Sequence, residues 1–296
     1  MDSTPRLVVD VACETGENPL WHPDEERLYW CDIPPGHLYA YDPALGEHER
    51  VYTAADGRIG GFTIQRDGSL LLFGEAGGVS LYRDGRAERV IDPAPERFHE
   101  RFNDVIADPR GRVFCGVMPD PDAGLPGALY RLDRDGSFTL VIEELDLPNG
   151  MGFTADRESM YVTDTCSYSD APGRISQYDY DEATGEISNP ETVVEPTDVP
   201  GLPDGMTVDA EGHLWSACWD GHAVVRYGPD GTHERTIEFE PRKVSSITFA
   251  GDGYTDAYVT TAGGSNRPAE GETAGSLFGV DLGVRGRPEF RSAIDV

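Results

Sequence analysis

Glu17, Asn103, Asn149 and Asp204 occupy the same place in a unit that recurs along the chain. The units open at Glu17, Gly60, Asn103, Asn149, Asp204 and Ser245 (or Ser246). Four of these openings carry a carboxylate or amide oxygen. If they converge, the carboxylates would be buried without a partner unless a cation lay among them. A donor set of oxygens alone suits a hard divalent ion such as Ca²⁺, Mg²⁺ or Mn²⁺. Taken singly, Asn149-Gly150 and Asp204-Gly205 read as turn-forming dipeptides. Their shared phase in the repeat favours the ring.

Strands must position that ring. The units read ENPLWHPDEERLYWCDI, GGFTIQRDGSLLLFG, NDVIADPRGRVFCGV, NGMGFTADRESMYVTD, DGMTVDAEGHLWSAC and SSITFAGDGYTDAYVTT. Each is an apolar strand, an acidic or glycine-rich turn, and a second strand around Tyr29, Leu71, Phe114, Tyr161, Trp215 or Tyr258. Third strands follow in HLYAYD, VSLYRDG, ALYRLDRDG, ISQYDYD, AVVRYGPDG and SLFGVDL. Fourth strands follow in HERVY, AERVI, FTLVI, ETVVE, HERTIEF and EFRSAI. The period of roughly 45 residues and the four strands per unit predict an all-β fold. It is a single domain over 1–296: a six-bladed β-propeller of four-stranded antiparallel blades around a central channel. The apolar period of two, with glycine at the turns, excludes a helical repeat. The segment PRLVVDVAC is strand-like and is expected to pair with a terminal blade, because closing the ring removes exposed edges.

Composition narrows the partners. The chain has 54 Asp+Glu against 24 Lys+Arg, a formal net charge of -30, and Lys243 as its one lysine. Such a surface repels nucleic acid and anionic membranes. It reads as the solvated surface of a halophilic protein. Cys13, Cys31, Cys115, Cys166 and Cys218 are odd in number and widely spaced, so they are expected to be reduced and mostly buried in a cytoplasmic protein. The N-terminus lacks the pattern of a secretory signal, and no apolar run is long enough to span a bilayer.

Four motifs carry a resemblance. GENP at Gly16–Pro19 precedes LYWCDI, RFND spans Arg101–Asp104, LPNGM spans Leu147–Met151, and GLPDGMTVD at Gly201–Asp209 precedes LWSACW. Together, in this order, the chain resembles the gluconolactonase, regucalcin (senescence marker protein) and luciferin-regenerating enzyme family over nearly its whole length. The resemblance implies a metal-dependent sugar lactonase, acting on an aldono-1,4- or 1,5-lactone such as glucono-, xylono- or arabinonolactone. It implies one divalent ion held by Glu17, Asn149 and Asp204, with Ca²⁺, Mg²⁺, Mn²⁺, Zn²⁺ and Fe²⁺ all open. It makes Asp204 the general base as well as a ligand. Arg101 and Asn103 become the substrate-contacting pair, with Asn103 close to the metal. Where the family often sets an acidic residue on the pocket wall, this chain reads PDPDAGLPG, and Asp120 and Asp122 both qualify. The resemblance also fits a monomer or weak homo-oligomer.

Competing chemistries lack their motifs. There is no GxSxG elbow, no HExxH and no phosphate-cradling glycine loop leading into a helix. His22 is expected in a hairpin turn and His99 in a solvated loop. Trp215 and Trp219 are expected in blade packing rather than as a sugar platform. An organophosphate or aryl esterase and a non-catalytic calcium-binding propeller are the alternative readings. The open positions of a three-residue ligand set favour an enzyme.

Overall fold

The computed structural model describes residues 3–55, 57–94, 96–195 and 200–296. Among these residues there are six four-stranded antiparallel sheets, one per sequence unit. The inner strands are Gly16–His22, Gly61–Ile64, Phe102–Ala107, Pro148–Phe153, Leu202–Val208 and Val244–Ala250. Each packs on the inner strand of the next blade, and the sixth returns to the first, so the sheets close around a channel.

Inner strands are buried on both faces, whereas outer strands such as Glu47–Thr53 are largely exposed. One apolar cluster fills each blade interface. Leu20, Ile33, Phe62 and Leu72 join blades one and two, and Trp215, Ala217, Phe249 and Phe278 join blades five and six. Trp215 lies here, in packing as expected, with its ring 6.4 Å from that of Phe249. The DGS, PRG and AEG turns place Gly68, Gly111 and Gly212 at φ of 86–87°, a region glycine enters without steric cost. All five cysteines are buried and free. Among the described residues, no helix is long and apolar enough to cross a membrane.

The sixth blade corrects one expectation. Its fourth strand is not EFRSAI but the N-terminal Arg6–Val9, which pairs antiparallel with Leu277–Val280. The N-terminal segment therefore joins a terminal blade as expected. The edge that EFRSAI would have covered is already occupied, and Pro288 immediately before this run has no N–H to offer a ladder. The C-terminal residues cross the face opposite the inner-strand starts instead. Arg285 O accepts from Ala210 N and Gly286 N donates to Tyr254 O, reaching blades five and six. Arg287 donates to Phe153 O in blade four, and Arg291 grips Asp24 of blade one. Ser292 exchanges backbone bonds with Ile64 and Arg66 in blade two, and Ala293 N donates to Gly111 O in blade three. One strap thus touches every blade and lies across the far end of the channel.

With a net charge of -30, this shell of carboxylates resists compaction. Melting temperature is expected to rise steeply from low salt to molar potassium chloride. The Debye length shrinks from ~30 Å at 0.01 M to ~10 Å at 0.1 M, and each kcal/mol of relieved repulsion moves Tm by about 2–4 °C. A Tm that stays flat across that range contradicts the expectation.

Candidate metal centre at the channel mouth

Five of the six inner strands break register at one place. The breaks lie between Glu17 and Leu20, Phe102 and Val105, Pro148 and Met151, Pro203 and Met206, and Val244 and Ser246. Each immediately adjoins an opening residue of the repeat. Such bulges bend a strand and re-aim side chains that strict alternation would send to opposite faces. The second blade pairs regularly through Gly61–Ile64, and its ring position is Gly60, which has no side chain to aim.

The Asn-Gly and Asp-Gly pairs are not turns. Gly150 and Gly205 lie inside strands Pro148–Phe153 and Leu202–Val208. A methyl on Gly150 would come 2.5 Å from Asp204 O, and one on Gly205 would come 2.3 Å from Ser246 Oγ. Each glycine lets neighbouring blades approach until adjacent ring residues face one another.

Glu17, Asn103, Asn149 and Asp204 are 4–6% exposed and gather at the mouth. The sixth position is different. Ser245 Oγ donates to Gly16 O at 2.5 Å and lies 3.0 Å from Thr260 Oγ1, so it seams blade six to blade one. Arg101 Nη1 donates to Phe102 O at 2.8 Å and to Asn103 Oδ1 at 2.7 Å. Asn103 Nδ2 donates to Asn149 Oδ1 at 2.6 Å and to Pro148 O at 3.0 Å.

Electrostatics marks the same place. Burial, then Asp204 and Asp104, push the Glu17 carboxyl well above its usual range, against the Asn18 amide and Arg101. Burial and Asp104 raise Asp204 likewise, against the Gly205 amide. Burial lifts Asp104 to about 7, with Arg101 opposing. Burial lowers Arg101, and Arg58 adds to this. Glu17 Oε2 is buried with no hydrogen-bond partner. A buried anionic oxygen without a donor, beside two further carboxylates, is what an oxygen-ligated cation would relieve. The residues fit a divalent ion.

Asp104 is the site residue that sequence reasoning passed over. It adjoins Asn103, so alternation puts it on the other face, yet it lines the channel below the mouth with Asn18, Met151 and Met206. The bulge between Phe102 and Val105 brings consecutive residues to the same interior. Its signal was the RFND run itself.

The remaining candidates sort by position. The loop with Asp120 and Asp122 follows strand Val113–Val117 on the mouth side. Asp120 Oδ1 accepts from Ala123 N at 3.0 Å and so ties its own loop, while Asp122 is exposed. His99 is exposed at this rim. Trp219 is half-buried there, with Lys243 Nζ 5.2 Å from its ring centre. His22 lies at the far end of its strand, buried, with Nε2 2.9 Å from Gly68 O in the next blade. Asp209, Glu211 and His213 also cluster, but Arg226 already pairs with both carboxylates, and Trp215 Nε1 donates to Asp209. The two carboxylates of that cluster are therefore charge-paired without a cation.

Comparison with known proteins agrees with this architecture. Residues 15–263 match the family model described as the SMP-30/Gluconolactonase/LRE-like region. The chain belongs to this family, and by that membership it is a lactonase-type enzyme. It is 49% identical to Pentonolactonase XacC of Haloferax volcanii, with 97% of each chain covered. It is 31% identical to human regucalcin, over 94% of this chain and 95% of the relative. In fold it matches a luciferin-regenerating enzyme (TM-score 0.87, 24% identity, 99% and 100% covered). It also matches a calcium-binding regucalcin of Agrobacterium tumefaciens (TM-score 0.85, 22% identity, 99% and 98% covered).

Proposed function

We propose that the protein hydrolyses an aldonolactone, a pentono- or hexono-1,4- or 1,5-lactone such as xylono-, arabinono- or gluconolactone, to its aldonic acid. The reaction uses one divalent ion held by Glu17, Asn149 and Asp204. The observation that carries the reading is the buried, unpartnered Oε2 of Glu17 in a pocket shared with Asp204 and Asp104. The likeness to a pentonolactonase supports the substrate class.

When bound, the ion supplies Lewis-acid polarisation of the lactone carbonyl and stabilises negative charge on its oxygen. Asp204 takes a proton from the water that attacks the carbonyl carbon. The ring acyl–oxygen bond then breaks, and the ring oxygen leaves as a hydroxyl after regaining a proton. Arg101, beside the ring of ligands, holds sugar oxygens with its fork of donors, and Asn103 positions them with it. The loop of Asp120 and Asp122 offers carboxylate acceptors for hydroxyls at the rim. No covalent nucleophile is required. The acidic surface suits a salt-rich cytoplasm.

A pH-stat screen tests this. Pentono- and hexonolactones, an aryl ester and a phosphotriester are each offered with Ca²⁺, Mg²⁺, Mn²⁺, Zn²⁺ and Fe²⁺. Turnover is expected on aldonolactones above the other two classes. Turnover confined to the ester or phosphotriester overturns the substrate, and ion binding without turnover of anything overturns the enzyme.

A further inference from the structure

A directional chain of hydrogen bonds runs behind the ring. Arg101 Nη1 donates to Asn103 Oδ1 at 2.7 Å, and Asn103 Nδ2 donates to Asn149 Oδ1 at 2.6 Å. Asn149 Nδ2 donates to Thr165 Oγ1 at 2.6 Å, and Thr165 Oγ1 donates to Pro203 O at 2.8 Å. Thr165 is buried and lies just past the second strand of blade four, Ser159–Asp164. Its own amide donates to Leu147 O at 3.0 Å. Pro203 immediately precedes Asp204 in blade five.

The ends of this chain fix its direction. A guanidinium only donates and a backbone carbonyl only accepts, whereas a hydroxyl has one proton. Pro203 O therefore claims the Thr165 proton, and Thr165 Oγ1 is left to accept. The group facing it must be the amide nitrogen of Asn149. The same logic at the other end turns Asn103 Oδ1 toward Arg101 and its nitrogen toward Asn149 Oδ1 and Pro148 O. The two ends of an asparagine amide are nearly the same shape, so nothing but such partners decides which one faces a site. A nitrogen facing the ring would present N–H donors to a cation.

We propose that Thr165 is a positioning residue that locks the Asn149 amide with its oxygen toward the ring, and ties that lock through Pro203 O to the strand carrying Asp204. The proposal rests on the ring being a divalent-ion site. Thr165 would touch neither ion nor substrate, and it acts by excluding the flipped amide. Partners of this kind behind metal ligands are typically worth 10–100-fold in metal affinity.

The experiment measures affinity for Ca²⁺ and Mn²⁺ by titration calorimetry, with no substrate present, alongside melting temperature. Thr165→Val keeps the shape and removes the hydroxyl, and it is expected to weaken ion binding ~10–100-fold. Thr165→Ser restores the hydroxyl and should restore most of the affinity. The deciding comparison is in an Asn149→Asp background, where both ends of the side chain are oxygen and a flip changes nothing. There, Thr165→Val should leave ion affinity within about threefold of the Asn149→Asp parent. Loss of the same factor in both backgrounds overturns the proposal, since Thr165 would then support only the local structure. Unchanged affinity in Thr165→Val, with the parent protein binding normally, overturns it too. If the parent binds no divalent ion at all, the ring reading falls first, and the role of Thr165 falls with it.

Discussion

Stripping divalent ions from the protein is expected to reduce lactone hydrolysis to background, and adding back one suitable ion is expected to restore it. Burial raises the proton affinity of Glu17, Asp204 and Asp104; Asp204 and Asp104 add to it at Glu17, Asp104 adds to it at Asp204, and Arg101 is the cation that opposes it at Glu17 and Asp104. Without an added positive charge, these carboxylates hold protons or repel one another. While protonated, Asp204 can accept no proton from water, and in either state nothing in the ring polarises a carbonyl. Lewis-acid stabilisation of developing charge is worth several kcal/mol, and each 1.36 kcal/mol is a factor of ten, so the loss is on the order of 10³-fold. The chelated protein should also melt lower than the ion-bound one, by ~2.7 kcal/mol of linkage at an ion concentration a hundred times Kd. Full turnover in a preparation verified to be free of metal contradicts the assignment. A melting temperature indifferent to every divalent ion would place any metal effect outside the ring.

The blades and the ring positions were legible because the fold repeats. Six turns and six alternating apolar runs in phase reinforce one another, so an error in one unit does not disturb the rest. Glu17, Asn103, Asn149 and Asp204 share that phase, and residues equivalent in sequence become neighbours around the channel; the choice of three of them as ligands came from the family resemblance. What alternation could not reveal was the register break. Asp104 follows Asn103 directly, and period two sends it away from the site, but the bulge beside it reverses that. The glycines after Asn149 and Asp204 had a turn-like sequence whose actual reason is close blade packing, a contact with no local signal. Thr165 lay in a second strand's exit, outside the phase being compared, and its role depends on a carbonyl from another blade. The strand-like EFRSAI was misplaced for a related reason. Its pattern is that of an edge strand, but the edge it would cover was already taken by Arg6–Val9 from the other end of the chain.

Asp204→Asn is expected to keep the fold and much of the ion affinity while losing turnover by ~10²–10⁴-fold, the range that general-base catalysis typically contributes. Asparagine preserves a carbonyl oxygen at the ligand position, and Asn149 already seats an amide in the same ring. The substitution also removes one of the charges that raise Glu17, so stability should not suffer. An amide accepts no proton from the attacking water at neutral pH, so the deficit should persist at saturating ion and appear in kcat. Glu17→Gln behaves differently. It removes ligand charge at the oxygen that has no hydrogen-bond partner, and its new N–H donors face Asp204 and Asp104. Ion affinity should drop, and excess ion should recover much of the rate. The pair therefore separates a base from a ligand by one measurement, kcat against ion concentration. Full rescue of Asp204→Asn by excess ion would make Asp204 a ligand only. Near-parental kcat in that variant at moderate ion would move the base to Glu17 or Asp104, and the corresponding Asp104→Asn variant decides between them.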